Sequence, residues 1–137
     1  MTSQKPMARI TEVNREFWEG CNRDELMLQQ CMAADCRRYI YYPRVCCPYC
    51  GNDELAWRRV SGRAKIVSFA RIHREQHESY AADVPYYFAA LQLEEGPLMF
   101  GRLLDDVSSE KNIIGRSVVA QFVEQTPTQK LPFFRLV

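Results

Sequence analysis

From Gly51 to Val137 the chain contains no cysteine, although six fall between Cys21 and Cys50. The asymmetry marks two regions that stay folded by different means. Histidine occurs only twice in 137 residues. No glycine-rich phosphate loop, nucleophile elbow or cysteine and histidine dyad is present, which argues against a self-sufficient enzyme. An excess of one charge is also missing. Nine basic residues stand against eight acidic ones through Ser61, and nine against nine from Gly62 onward, for a net charge of +1. A phosphate-backbone binder normally carries a basic excess, so nucleic acid is not the expected partner. No apolar run approaches a membrane span, and "MTSQKPMARITEV" has no stretch suited to a signal peptide, so no membrane association and a cytoplasmic location are expected. The length excludes a large enzyme and allows one domain, or a small domain with an appended module.

In a reducing compartment, six clustered cysteines read as metal ligands rather than disulfides. "CPYCG" places Cys47 and Cys50 two residues apart, so that both thiolates can reach one tetrahedral ion from a tight turn that Gly51 can close at positive φ. Cys31 and Cys36 supply the second pair, and the intervening chain suffices for a short hairpin. The predicted constellation is therefore Cys31, Cys36, Cys47 and Cys50. Four thiolates on a divalent cation leave a charge of minus two, which Arg37, Arg38 and Arg44 are placed to offset. Such a closed site is structural, since no coordination position is open to substrate. Zinc is the expected metal; rubredoxin-like iron is the alternative that spacing leaves open. Cys46 abuts Cys47 and reads as a buried packing residue, with an exchange of ligand roles as its rival. Cys21 reads as packing.

The fold class expected is mainly β, in three segments: an N-terminal helical segment over 1–26, a ribbon over 27–59, and a five-stranded barrel over 60–137. Residues 11–20 suggest a short helix capped by Thr11 and stopped by Gly20. Its Phe17 and Trp18 either cover the protein's own core or anchor a partner. Beyond Val60 the pattern has period two. "AKIVSFARIH" sets Ile66, Ser68, Ala70 and Ile72 against Val67 and Phe69, and "YYFAALQLEE" puts Tyr87, Ala89, Leu91 and Leu93 on one side. "PLMFGRLL", "SVVAQFVEQ" and "LPFFRLV" continue the alternation, and Gly101 sits where a coiled strand bends. Five such strands suggest closure, which removes exposed edges. His73 and His77 fall in a loop and lack the acidic residue of a metalloprotease pattern. With Arg74, Tyr80 and Tyr86 they form a group suited to an anionic or aromatic ligand.

The stretches "FWEG", "YYPRVCCPYCG", "LAWRRVSGRAKIVSFARIHR", "VPYYFAALQLEEGP", "IIGRSVV" and "LPFFRLV" occur here in an order and spacing that resemble one family over nearly the whole chain. That family is the acyl-CoA-associated proteins with an N-terminal helix, a rubredoxin-like zinc ribbon and an OB-fold. The resemblance implies Cys31, Cys36, Cys47 and Cys50 as ligands of structural zinc. It also implies a small non-catalytic subunit in a hetero-oligomer, whose thiolase-like partner performs the chemistry on a CoA thioester. Thiolases, the benzoylsuccinyl-CoA type among them, acetyltransferases, sterol side-chain aldolases and acyl-CoA hydratases are the complexes implied. On that expectation Phe17 and Trp18 dock the partner, and Arg71, His73, Arg74, His77, Tyr80 and Tyr86 lie near acyl-CoA or the partner. The first cysteine pair departs from the family's usual spacing of two, and Tyr42 and Pro43 replace a pair of prolines. A single-stranded nucleic-acid module is the competing class, since OB-folds also serve there.

Overall fold

The computed structural model describes residues 5–137; the first four residues of the N-terminal segment lie outside it. Helix α1 (Arg15–Asn22) is followed by β1 (Leu26–Cys31), β2 (Tyr39–Ile40) and β3 (Leu55–Val60), which form a small antiparallel sheet in the order β2-β1-β3. The remaining strands, β4 (Arg63–Ile72), β5 (Tyr86–Leu93), β6 (Leu98–Leu103), β7 (Ser117–Thr126) and β8 (Gln129–Leu136), close a barrel in the order β4-β5-β6-β8-β7. Closure uses one parallel contact, Leu103 beside Phe134, and antiparallel pairing of β4 with β7. This strand order is that of an OB-fold. Among the described residues no helix is long and apolar enough to cross a membrane.

The helix starts and ends later than the 11–20 segment expected. Thr11 and Asn14 close a turn on each other first. The Thr11 amide donates to Asn14 Oδ1 at 2.7 Å, and the Asn14 amide donates to Thr11 Oγ1 at 3.4 Å. Asn14, not Thr11, then occupies the N-cap position. Gly20 does not stop the helix. It lies inside α1, where an added Cβ would stand 2.6 Å from Met27 Cγ and 2.9 Å from the Glu25 carbonyl oxygen, so its role is to let β1 approach. The stop is Asp24, at φ +61. The Glu25 amide donates to the Gly20 carbonyl at 2.8 Å and the Asp24 amide to that of Cys21 at 3.1 Å, the paired bonds of a Schellman motif.

Tyr87, Ala89, Leu91 and Leu93 do face inward together. The expected phase of β4 fails halfway. Ile66 pairs with Leu91 and Phe69 with Ala89, and a register shift between Ile66 and Ser68 leaves Val67 exposed. The bulge turns Phe69 toward the core where strict alternation would have turned Ser68, Ala70 and Ile72.

One core runs through helix, sheet and barrel. Phe17, Trp18 and Cys21 of α1, Leu26 and Leu28 of β1 and Val60 of β3 belong to the same cluster as Ile66, Leu91, Met99 and Phe134 inside the barrel. Gly101 is set beneath Phe134. A Cβ there would lie 2.8 Å from Phe134 Cδ2, and Phe134 is fully buried. Close approach, rather than a bend, is therefore what the position requires. Gly101→Ala is expected to lower stability by about 1–3 kcal/mol through overpacking, read as a lower midpoint in urea unfolding. An unchanged midpoint would remove this account of Gly101.

Candidate metal centre and aromatic cleft

Cys31 closes β1, opposite Leu55 of β3, and its amide donates to the Arg38 carbonyl at 2.9 Å. Cys36 follows in a turn in which its amide reaches the Ala33 carbonyl at 3.0 Å. Cys47 and Cys50 sit on a second turn. There the Gly51 amide, at φ +83, donates to the Cys47 carbonyl at 2.9 Å, and the Cys47 amide donates to the Asn52 carbonyl at 2.8 Å. These two turns bring all four sulfurs within 4.8 Å of one another. Cys31 and Cys50 are 3.5 Å apart, and Cys36 and Cys47 3.8 Å. A tetrahedron with metal–sulfur bonds of about 2.3 Å has edges of about 3.8 Å. The donor set and spacing thus fit a structural metal ion.

Donors to sulfur complete the cluster. The Tyr49 amide donates to Cys47 Sγ at 3.4 Å, and Asn52 Nδ2 to Cys31 Sγ at 3.8 Å. Burial alone would raise the pKa of Cys47. The amides of Tyr49 and Cys50, with the thiols of Cys36 and Cys50, instead lower it to about 7. The surrounding apolar core is very small: Cys31, Ile40 and Cys47, with Ala33, Cys36 and Leu55 against them. Two of its three fully enclosed members are themselves thiols of the cluster, so little hydrophobic burial is left to hold the turns. The side chains of Arg37 and Arg38 are engaged elsewhere, although the Arg38 backbone amide bonds to the Cys36 sulfur. Arg38 stacks 4.5 Å from the Tyr49 ring centroid, Arg37 Nη1 contacts Met32 Sδ at 3.6 Å, and the Arg44 backbone is paired with the buried Gln29 amide.

The two other cysteines separate. Cys21 is completely buried on α1, and desolvation pushes its thiol up to about 12, an inert packing group as expected. Cys46 departs from expectation. It is exposed, because the backbone that turns Cys47 inward turns its neighbour out.

Phe17 and Trp18 cover the protein's own core, the first of the two roles open to them. Both are buried, at 1% and 9% exposure, and they pack edge to face at 4.9 Å. The Trp18 indole donates to the Tyr42 hydroxyl at 2.9 Å, so its one polar handle is also used internally. They also form one wall of an aromatic cleft of about 230 Å³ between α1 and the outside of the barrel. Tyr80, Tyr86, Phe88, Phe100, Arg102 and Phe133 line it on the barrel side. Of the group expected to act together, only Tyr80 and Tyr86 reach this cleft. Arg71 stacks at 5.7 Å on Tyr87, whose side chain alternates away from that of Tyr86. His73 and Arg74 are exposed in the following loop. His77 caps a 3-10 turn over Glu78–Tyr80, its Nδ1 accepting from the Ser79 amide at 3.2 Å. Arg102, Phe88 and Phe100 were not singled out from the sequence. Their signal was available, because they occupy the outward phase of strands whose inward phase is apolar.

A four-thiol ribbon joined to an OB barrel by a shared core defines a two-module β protein with a cysteine cluster fit for a structural metal. Residues 18–56 match the family model described as "ChsH2, rubredoxin-like zinc ribbon domain", and residues 57–123 match "ChsH2, C-terminal OB-fold domain". The chain belongs to the ChsH2/DUF35 family. It is 31% identical over 139 residues to a Thermomonospora curvata protein named "Probable enoyl-CoA hydratase alpha subunit", covering 98% of this chain and 42% of that protein. It is 32% identical over 68 residues to a "DUF35 domain-containing scaffold protein" of Pyrococcus furiosus, 49% of each. The chain spans about half the length of the curated relatives it matches. Among solved structures, a chain of "Ltp2-ChsH2(DUF35) aldolase" superposes with TM-score 0.81 at 26% identity, over 95% of this chain and 98% of that one.

Cys47→Ser should abolish stoichiometric metal retention, measured as metal per chain after gel filtration, and should speed amide exchange around the two turns. The stabilisation at stake is on the order of 10 kcal/mol. A variant that keeps one tightly held metal and wild-type exchange would exclude Cys47 as a ligand.

Proposed function

We propose that this chain is a non-catalytic scaffold subunit of a thiolase-like enzyme acting on CoA thioesters, with structural zinc in the ribbon. The observation that carries the reading is the full-length likeness, at TM-score 0.81, to a chain of an Ltp2-ChsH2 aldolase. Two features of this molecule support it. The metal-type cluster among the described residues consists of four thiols, which together fill a tetrahedron and leave no position for substrate. The histidines offer no oriented general base among the described residues: both lie in an exposed loop, and His77 Nδ1, 2.6 Å from the Ser79 hydroxyl, is engaged in capping a surface turn with no third group orienting it.

On this reading the carbon–carbon chemistry belongs to a partner with its own nucleophile and base. The chain contributes shape, in a reducing cytoplasm that keeps the thiols as ligands. Arg71, His73, Arg74 and His77 lie on an exposed edge, interspersed with Glu75 and Glu78, that faces the partner or the CoA moiety on this reading, and Tyr80 and Tyr86 border the cleft beside it. A hydratase partner is the second reading, favoured by the name of the Thermomonospora curvata relative. The balanced charge count disfavours single-stranded nucleic acid.

Affinity purification of the tagged chain from its native cell extract at moderate salt should recover a thiolase-like protein in fixed stoichiometry, with CoA-dependent thioester cleavage in the eluate. Recovery of a hydratase instead would select the second reading. Elution of the chain alone would contradict both.

A further inference from the structure

The aromatic cleft has a charged lip that the scaffold reading does not use. Asp83 accepts from Lys5 Nζ at 2.5 Å and from Arg102 Nη1 at 2.9 Å, so two cations share one carboxylate and the lip keeps a net positive charge. Arg102 is also held flat. Its guanidinium lies 4.4 Å from the Tyr86 ring centroid and 5.5 Å from that of Phe133. Only one of its N–H groups is engaged, by Asp83, among the described residues. A planar fork fixed between two rings and mostly unspent is suited to a carboxylate or a similar oxyanion.

The interior of the cleft sets the rest of the ligand. Its walls are rings: Phe88 and Phe100 lie stacked at 6.2 Å and 9°, both exposed, and Trp18 faces them from the helix side. Burial pushes Tyr41, a further lining residue, up to about 12, so it stays neutral. Two of the inner hydrogen-bonding groups are already paired, since Gln125 Nε2 donates to the Tyr80 hydroxyl at 2.9 Å and the Trp18 indole to Tyr42. A surface made mostly of rings favours a planar apolar body. Size narrows it further. A cavity of about 150 Å³ holds benzene, so 230 Å³ takes one ring with a short substituent and is too small for a whole CoA thioester.

We infer that this cleft is a binding site for a monocyclic aromatic acid, its ring between α1 and the Phe88–Phe100 pair and its carboxylate on Arg102. The inference does not depend on the identity of any catalytic partner. Phenylacetate, phenethyl alcohol and hexanoate, titrated into the full metal-loaded chain and followed by amide and indole N–H chemical shifts, separate the ring from the charge. Phenylacetate should saturate, with shifts at the Trp18 indole and at residues 86–88 and 100–102. The alcohol and the aliphatic acid should each bind about tenfold more weakly. Arg102→Gln should bring phenylacetate down to the level of the alcohol, and Phe100→Ser, at an exposed position, should weaken both ring compounds. Equal affinities for phenylacetate and phenethyl alcohol on the native chain would overturn the inference without recourse to any variant. So would shifts confined to residues outside the cleft, or no saturation by phenylacetate.

Discussion

Four sulfur atoms within 4.8 Å of one another are the constraint on which the shape of the ribbon rests. Ionised thiols this close repel, and protonated thiols attract only weakly, so the arrangement is one that a cation at its centre would stabilise. The local apolar burial cannot substitute for it, because Ile40 is the one fully enclosed aliphatic side chain in the surrounding cluster. A metal ion held there would do for the two turns what a core does for the barrel. It would tie the end of β1 to both turns, and the chain then runs through β3 directly into β4.

The barrel and ribbon are joined by packing rather than by a linker. Trp18, Phe17 and Tyr42 interlock, and the Tyr42 hydroxyl accepts both the Trp18 indole at 2.9 Å and Asn14 Nδ2 at 3.0 Å. Gln129 of β8 donates to the Trp18 carbonyl at 3.0 Å, and Lys130 reaches Asp24 at 2.9 Å. These contacts set the helix against the outer face of β8, and that placement creates the cleft. A rigid junction of this kind suits a subunit whose contribution is a fixed surface. Fold alone would not assign that role, since OB barrels serve many functions.

Much of this was legible in the sequence, for reasons that differ by element. The cysteine spacing singled out the four sulfurs because metal geometry restricts the chain locally, and β5 could be read because one inward face of period two leaves little choice. What escaped depended on partners distant in sequence. Gly20 resembles a helix stop until β1 is seen against it, and the β4 bulge is a response to β5. Core packing and a partner were both open roles for Trp18, because nothing nearby in sequence announces Tyr42. The lip formed by Lys5, Asp83 and Arg102 joins three separate segments, and no local motif encodes it.

The central claim, that the chain shapes an active site it does not itself supply, is tested most directly by reconstitution. The partner's kcat/KM for its CoA thioester would be measured with and without the metal-loaded chain, alongside the chain alone. The account predicts no turnover by the chain alone and a markedly higher kcat/KM for the assembled complex. Identical values with and without the chain, or turnover by the isolated chain, would contradict it.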